Sequence, residues 1–160
     1  MAKMTAEQFG QRVLELGLAS PSEMQAVWSE AGTRDVGLAD LQQLLLRREL
    51  LTNFQIERLL NGQRAGYFYS DYKVLYLVGS GTFARVYRAS HTQNHRICAV
   101  KVLRRRFSDD REQTDRFYRE GQIGLSLKHP NIVSVIDVYS REFTHFLAME
   151  FIEGRNLREF

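Results

Sequence analysis

Cysteine is almost missing from this sequence. The single thiol, Cys98, excludes an intrachain disulfide and fits a reducing compartment. Long apolar runs are missing too: residues 1–10 lack the hydrophobic stretch of a secretory signal, and no segment approaches the length of a membrane span. A soluble, cytoplasmic chain is expected, with a membrane segment past residue 160 left open. Charge of one sign is not in excess. The net charge of +3 and the pI near 9.2 arise from basic residues spread along the chain, so no nucleic-acid partner is expected. The longest basic run, Arg104-Arg105-Arg106, reads as a solvated strand end. What is present is an ordinary globular balance, 44% hydrophobic and 26% charged over 160 residues. That is enough for one domain or two small packed ones.

The first part of the chain reads as helices with clear punctuation. Thr5 and Gln8 have capping-box spacing, with Gly17 as a stop. Ser20-Pro21-Ser22-Glu23 supplies a capping serine, proline at the first helical position and glutamate three residues after the cap. A third helix is expected over 41–48, and a fourth starts at Thr52, with Gln55 at the box position, and stops near Gly62. An offset of 32 relates Leu18 to Leu50, Ser20 to Thr52, Glu23 to Gln55, Met24 to Ile56 and Val27 to Leu59. Two packed helical hairpins account for this, and shared capping grammar with apolar periodicity accounts for it equally well. After Gly66 the period becomes strand-like: strands are expected over 72–78, 83–89, 96–103, 132–138 and 143–151. A helix capped by Asp109 fills 109–127. Short links favour an antiparallel meander. The fold class is therefore α+β: a helical domain over 1–66, a linker over 67–71, and over 72–160 a five-stranded antiparallel sheet with one major helix.

Three constellations carry chemistry. Gly79-Ser80-Gly81-Thr82-Phe83-Ala84-Arg85-Val86 lies between two strands, where glycines let a backbone approach a phosphate closely. Alone it is equally a tight hairpin. In the third strand Ile97, Ala99, Lys101 and Leu103 share a face, and a lysine buried there without a partner is costly. An anion should meet Lys101, unless it snorkels to water. The helix offers one: Phe117, Glu120, Gly124 and Leu127 fall on one stripe, apolar except for Glu120. Glu120 at the stripe's margin, solvated, is the bland alternative. Last, residues 147–154 run from a strand into a glycine-ended connection, and Met149 could line a pocket for a flat heterocycle.

Taken together, these residues resemble the small N-terminal lobe of the protein kinase family. Gly79, Gly81 and Val86 match its glycine-rich loop, with Ala84 in place of the third glycine. Ala99-Val100-Lys101 matches the strand bearing the phosphate-binding lysine, and Glu120 its helix partner. His129-Pro130-Asn131-Ile132-Val133 matches the link into the fourth strand, and Met149-Glu150-Phe151 with Glu153-Gly154 the gatekeeper and hinge. The order and spacing hold over 72–160. The flavour is that of bacterial serine/threonine kinases, and the helical segment looks like N-terminal extensions on some planctomycete kinases.

The resemblance implies an ATP site. The loop residues Val78, Gly79, Ser80, Gly81, Thr82, Phe83, Ala84 and Val86 would cover the phosphates and, with Ala99 and Met149, the adenine. Lys101 would contact the α and β phosphates, held by Glu120, while Glu150 and Ile152 would bond the adenine edge. Catalytic and Mg2+-binding residues would come from a large lobe that these residues do not include, as would contacts to protein substrates. His95-Arg96 is followed by Ile97, and no Asp-Phe-Gly occurs. The chain is thus expected to be a kinase N-lobe and hinge, inactive alone, with its uncovered surface either driving self-association or partly shielded by the helical domain. A pseudokinase-like or adaptor module is the competing reading, with the helical domain contacting a protein. A small-molecule phosphotransferase is disfavoured by the 129–133 link and the 149–154 hinge. Gly121 and Gly124 loosen the helix bearing Glu120, so the Lys101–Glu120 pair is expected to be long or broken, with the helix swung out.

Overall fold

The structure, a computed structural model, describes residues 4–159. The outermost positions assigned above to the two domains, 1–3 and Phe160, lie outside the described residues. The chain divides into two compact units, Met1–Phe68 and Tyr69–Phe160.

The first unit holds α1 (Ala6–Glu15), α2 (Pro21–Ala31), α3 (Leu38–Arg47) and α4 (Asn53–Leu60). Thr5 with Gln8, Ser20 with Glu23 and Thr52 with Gln55 each form a complete capping box. They satisfy the orphan amides that make an isolated helix start costly. α3 begins three residues earlier than its apolar run suggested, on Gly37, without a side-chain cap.

The offset of 32 is also the offset of the elements. Ala6 and Leu38 open α1 and α3, Glu15 and Arg47 close them, and Pro21 and Asn53 open α2 and α4. Both first helices end in the same left-handed turn, on Gly17 (φ 66°) and on Glu49 (φ 55°). Leu18 N donates to Val13 O at 3.0 Å, and Leu50 N to Leu45 O at 3.0 Å. Phe9 and Leu41, Val13 and Leu45, and Val27 and Leu59 are fully enclosed equivalents.

Residues 67–71 are the stretch expected as a linker. Tyr67 is buried in the helical core, and Phe68–Tyr69 forms a short strand, β1.

The second unit continues with β2 (Tyr72–Ser80), β3 (Ala84–His91), β4 (Ile97–Leu103), α5 (Arg111–Ser126), β5 (Val135–Arg141) and β6 (Thr144–Glu150). The five expected strands are present, and β1 adds a sixth at the edge. The sheet order is β1-β2-β3-β4-β6-β5, so the meander stops at β4. β4 and β5 each pair antiparallel with β6 and therefore run parallel to each other. Parallel strands cannot be joined by a tight turn and need a crossover. α5 is that crossover, and β6 fills the place left between them.

Several strand ends differ from the expected ones: β2, β3 and β5 run on to Ser80, His91 and Arg141. Two starts moved for visible reasons. Asp110, not Asp109, caps α5, accepting from Glu112 N at 3.0 Å and Gln113 N at 3.2 Å. A 3-10 turn at Arg105–Phe107 precedes the helix, and Asp110 N donates to Phe107 O at 3.2 Å, which sets Asp110 at the helix start. β5 starts at Val135 because Ile132 is held in a turn, its N–H donating to His129 O at 3.1 Å.

β4 is central and covered on both sides. One face of the sheet carries Tyr87, Ala89, Cys98, Val100, Phe146 and Ala148, all buried. On this face Tyr139 stacks on Phe146 with centroids 4.9 Å apart, and burial pushes the Cys98 thiol pKa up. The other face packs against α5 through Leu103, Phe117 and Leu147.

Candidate functional site

Strand register assembles the site on the α5 side of the sheet. Lys101 lies opposite Val86 on β3 and Leu147 on β6, and Ala99 lies opposite Met149. Directly opposed residues share a face, so Val86, Ala99, Lys101 and Met149 form one patch. Toward Ala84 and Leu103 the patch ends at the glycine-rich loop. Toward Ala99 and Met149 it ends at residues 150–154.

Lys101 Nζ donates to Glu120 Oε1 at 2.7 Å, and Nζ lies 5.9 Å from the centroid of the Phe117 ring. The pair is closed, against the expectation that it would be long or broken. The reason is the pair of glycines taken above as a source of looseness. A β-carbon at Gly121 would collide with Leu147 Cδ2 and sit 2.8 Å from Val138 Cγ2, and one at Gly124 would collide with Val135 Cγ2. Glycine here permits a close approach of helix to sheet, and that approach presses α5 inward. The inward stripe is thus Phe117, Gly121 and Gly124, with Glu120 on its flank and Leu127 exposed at the helix end. Nor is the pair buried: the side chains of Lys101 and Glu120 are 29% and 56% exposed. Glu120 answers the need of Lys101 for an anion, but from the solvated margin.

The glycine-rich loop is a tight turn between β2 and β3, closed by Gly81 N donating to Ala84 O at 2.9 Å. Among the described residues nothing demands glycine at 79 or 81. Neither has a positive φ, a β-carbon at 79 would meet no atom within 4 Å, and one at 81 would meet only Ala84 O, at 3.5 Å. Val78 and Phe83 are about half exposed.

Arg105 and Arg106 are exposed, as a solvated strand end requires, and Arg104 is half-buried, but Arg104 and Arg106 also have partners in the glycine-rich loop. Arg104 Nε donates to Gly81 O at 2.9 Å and its terminal nitrogen to Ser80 Oγ at 2.7 Å. Arg106 donates to Thr82 O at 2.9 Å. Phe83 packs on Phe107 with centroids 4.9 Å apart.

At the other end, Glu150 N donates to Ser134 O at 2.9 Å, which ties the exit of β6 to the loop before β5. Arg88, unforeseen in the sequence, reaches over residues 151–153. Its guanidinium lies 4.7 Å from the Phe151 ring centroid and pairs with Glu153 at 3.0 Å. It also donates to Tyr76 Oη at 3.1 Å. Ile152 is exposed. No local signal marks Arg88, because its partners come from distant segments; the arginine run was a visible signal for Arg104 and Arg106. Among the described residues no three His, Cys, Asp or Glu side chains gather as a metal site, and no helix is long and apolar enough to cross a membrane.

Comparison with known proteins gives a consistent picture. The family model described as protein kinase domain matches residues 72–160. The serine/threonine-protein kinase PrkC of Bacillus subtilis (strain 168) is 39% identical over 89 residues, 56% of this chain and 14% of that protein. The probable serine/threonine-protein kinase PknB of Lactococcus lactis subsp. lactis is 36% identical over 94 residues, 58% of this chain and 15% of that protein. The chain thus spans about one seventh of the length of these relatives. Among solved structures, "PpkA-294 apo form" shares the fold with a TM-score of 0.52 at 21% identity, over 59% of this chain and 40% of that one.

Proposed function

This chain belongs to the protein kinase family through residues 72–160, and from that premise we propose that they form the ATP-holding small lobe of a bacterial-type serine/threonine protein kinase. The observation that carries the reading is the 2.7 Å contact between Lys101 Nζ and Glu120 Oε1. It fixes the ammonium over the sheet face, beside Val86 and Ala99. An ammonium in that place suits the α and β phosphates of ATP. The glycines at 79 and 81 support the same reading, since no described atom crowds either position and a bare backbone lets a ligand approach closely. Ser80, Gly81, Thr82, Phe83 and Ala84 would present backbone to the phosphates. Val78, Val86, Ala99 and Met149 would flank the adenine. Glu150 N–H is already engaged with Ser134 O, which leaves the Glu150 carbonyl and the Ile152 N–H for the adenine edge.

Phosphoryl transfer to a protein serine or threonine needs a residue to orient the hydroxyl and ligands for Mg2+. We assign neither role to any of these 160 residues. The Mg2+ that accompanies ATP would be held by carboxylate and amide side chains outside them. The 160-residue chain is therefore expected to bind ADP and ATP weakly and to transfer nothing.

Calorimetric titration with ADP tests the site. Binding by the native chain, and loss of at least tenfold in affinity with Lys101→Ala, supports it; equal affinities would remove Lys101 from the site. Transfer of label from ATP by the pure chain would overturn the assignment of catalysis elsewhere.

A further inference from the structure

The glycine-rich loop is held from behind by the segment that follows β4. Three consecutive carbonyls of the loop point to that segment. Gly81 O accepts from Arg104 Nε at 2.9 Å, Thr82 O from Arg106 at 2.9 Å, and Phe83 O from Arg104 N at 2.8 Å. The second arm of Arg104 reaches Ser80 Oγ at 2.7 Å. Phe107 closes the contact against Phe83, with centroids 4.9 Å apart, and the Arg106 guanidinium lies 4.9 Å from the Phe107 ring centroid.

The consequence follows from peptide geometry. A trans peptide holds its C=O and N–H in one plane, pointing in opposite directions. Turning the carbonyls of Gly81 and Thr82 toward the arginines therefore turns the N–H groups of Thr82 and Phe83 the other way. Neither amide donates to any group among the described residues. Two adjacent outward amides make an anion-binding concavity. Their partial positive charge is reinforced by two guanidinium groups on the back of the same peptides.

We infer that Arg104 and Arg106 are positioning residues. By clamping the carbonyls of Gly81 and Thr82, they pre-set the loop amides to receive the phosphates of a nucleotide. The inference rests on the nucleotide-site reading above. An unclamped glycine-containing loop would have to be ordered on binding, at a cost in affinity, and the clamp removes that cost before the ligand arrives. Arginine is suited to this because its planar fork reaches two acceptors at once, which a lysine ammonium does not do in the same geometry.

The experiment uses the 160-residue chain with ADP and adenosine as probes, together with amide hydrogen exchange in the absence of ligand. Arg104→Ala/Arg106→Ala is expected to weaken ADP about tenfold or more and to leave adenosine unchanged. Arg104→Lys is expected to behave like Arg104→Ala, because charge without the fork does not clamp. The Gly81 amide, bonded to Ala84 O at 2.9 Å, should exchange faster in each variant. Full ADP affinity in Arg104→Lys would show a charge effect and overturn the positioning role. Unchanged Gly81 exchange would show that the arginines do not hold the loop, and it overturns the clamp even if ADP affinity falls. Should the native chain bind neither probe, the nucleotide reading fails, while exchange at Gly81 still decides the clamp itself.

Discussion

Gly121 stands where any side chain would strike Val138: a β-carbon there would come within 2.8 Å of Val138 Cγ2. α5 reaches the sheet because this position is bare. The same closeness carries Glu120, one residue before it, to hydrogen-bond distance from Lys101.

Gly121→Ala sets two effects against each other. Alanine improves helix propensity by about 1 kcal/mol, whereas overpacking a closed contact costs about 1–3 kcal/mol. Val138 is β-branched and stiff and Leu147 is enclosed, so overpacking should win. Chemical denaturation is expected to show a net loss of about 1 kcal/mol, with Gly124→Ala similar. A gain in stability would mean that α5 does not press on the sheet.

The Lys101–Glu120 pair should matter little for stability, because water screens both side chains. A double-mutant cycle on Lys101→Met and Glu120→Gln is expected to give a coupling below about 1 kcal/mol that shrinks with added salt. A larger, salt-independent coupling would contradict the exposed geometry.

Arg88 ties β3 to residues 151–153 through Glu153 and Phe151. Arg88→Ala should cost about 1 kcal/mol, from the lost ring contact and an ion pair exposed on its Glu153 side. Faster amide exchange at Phe151 and Ile152 would report the freed segment. Arg88→Lys should not restore protection, since the ammonium does not stack on Phe151 as a guanidinium does.

Burial, then the nearby Asp137 charge, pushes the Tyr72 pKa from 10.0 to about 12. The neutral phenol is thus favoured by folding. Its contribution is whole below pH 10 and is lost as pH rises through about 12. A phenolate absorbance titration should show one of the seven tyrosines titrating near pH 12 in the native chain. Tyr72→Phe should remove that step.

Glu49 occupies, at φ 55°, the left-handed position that Gly17 fills at φ 66° in the preceding helical pair. Left-handed backbone costs a non-glycine residue about 1 kcal/mol, partly offset by the greater freedom of glycine when unfolded. Glu49→Gly should stabilise the helical unit by about 0.5 kcal/mol. The fluorescence of Trp28, the chain's one tryptophan, follows its unfolding.

The sequence by itself determined what depends on near neighbours. Thr5, Ser20 and Thr52 mark helix starts because a cap and its partner lie three residues apart. The alternation around Lys101 marks a strand, and its lysine called for a counter-charge that Glu120 supplies, although from the flank of α5 and not from the inward stripe on which the sequence placed it. Tertiary structure decided what depends on the path of the chain. The place of β6 between β4 and β5 follows from the helical crossover and not from strand spacing. The exposure of Glu120 follows from which neighbour on α5 turns inward, and two glycines that read as weakness proved to be the contact. Arg104 meets Ser80 from 24 residues away, and Arg88 meets Glu153 across the sheet face. Such long side chains have partners only once the fold has brought distant backbone within reach, and no local periodicity encodes that approach.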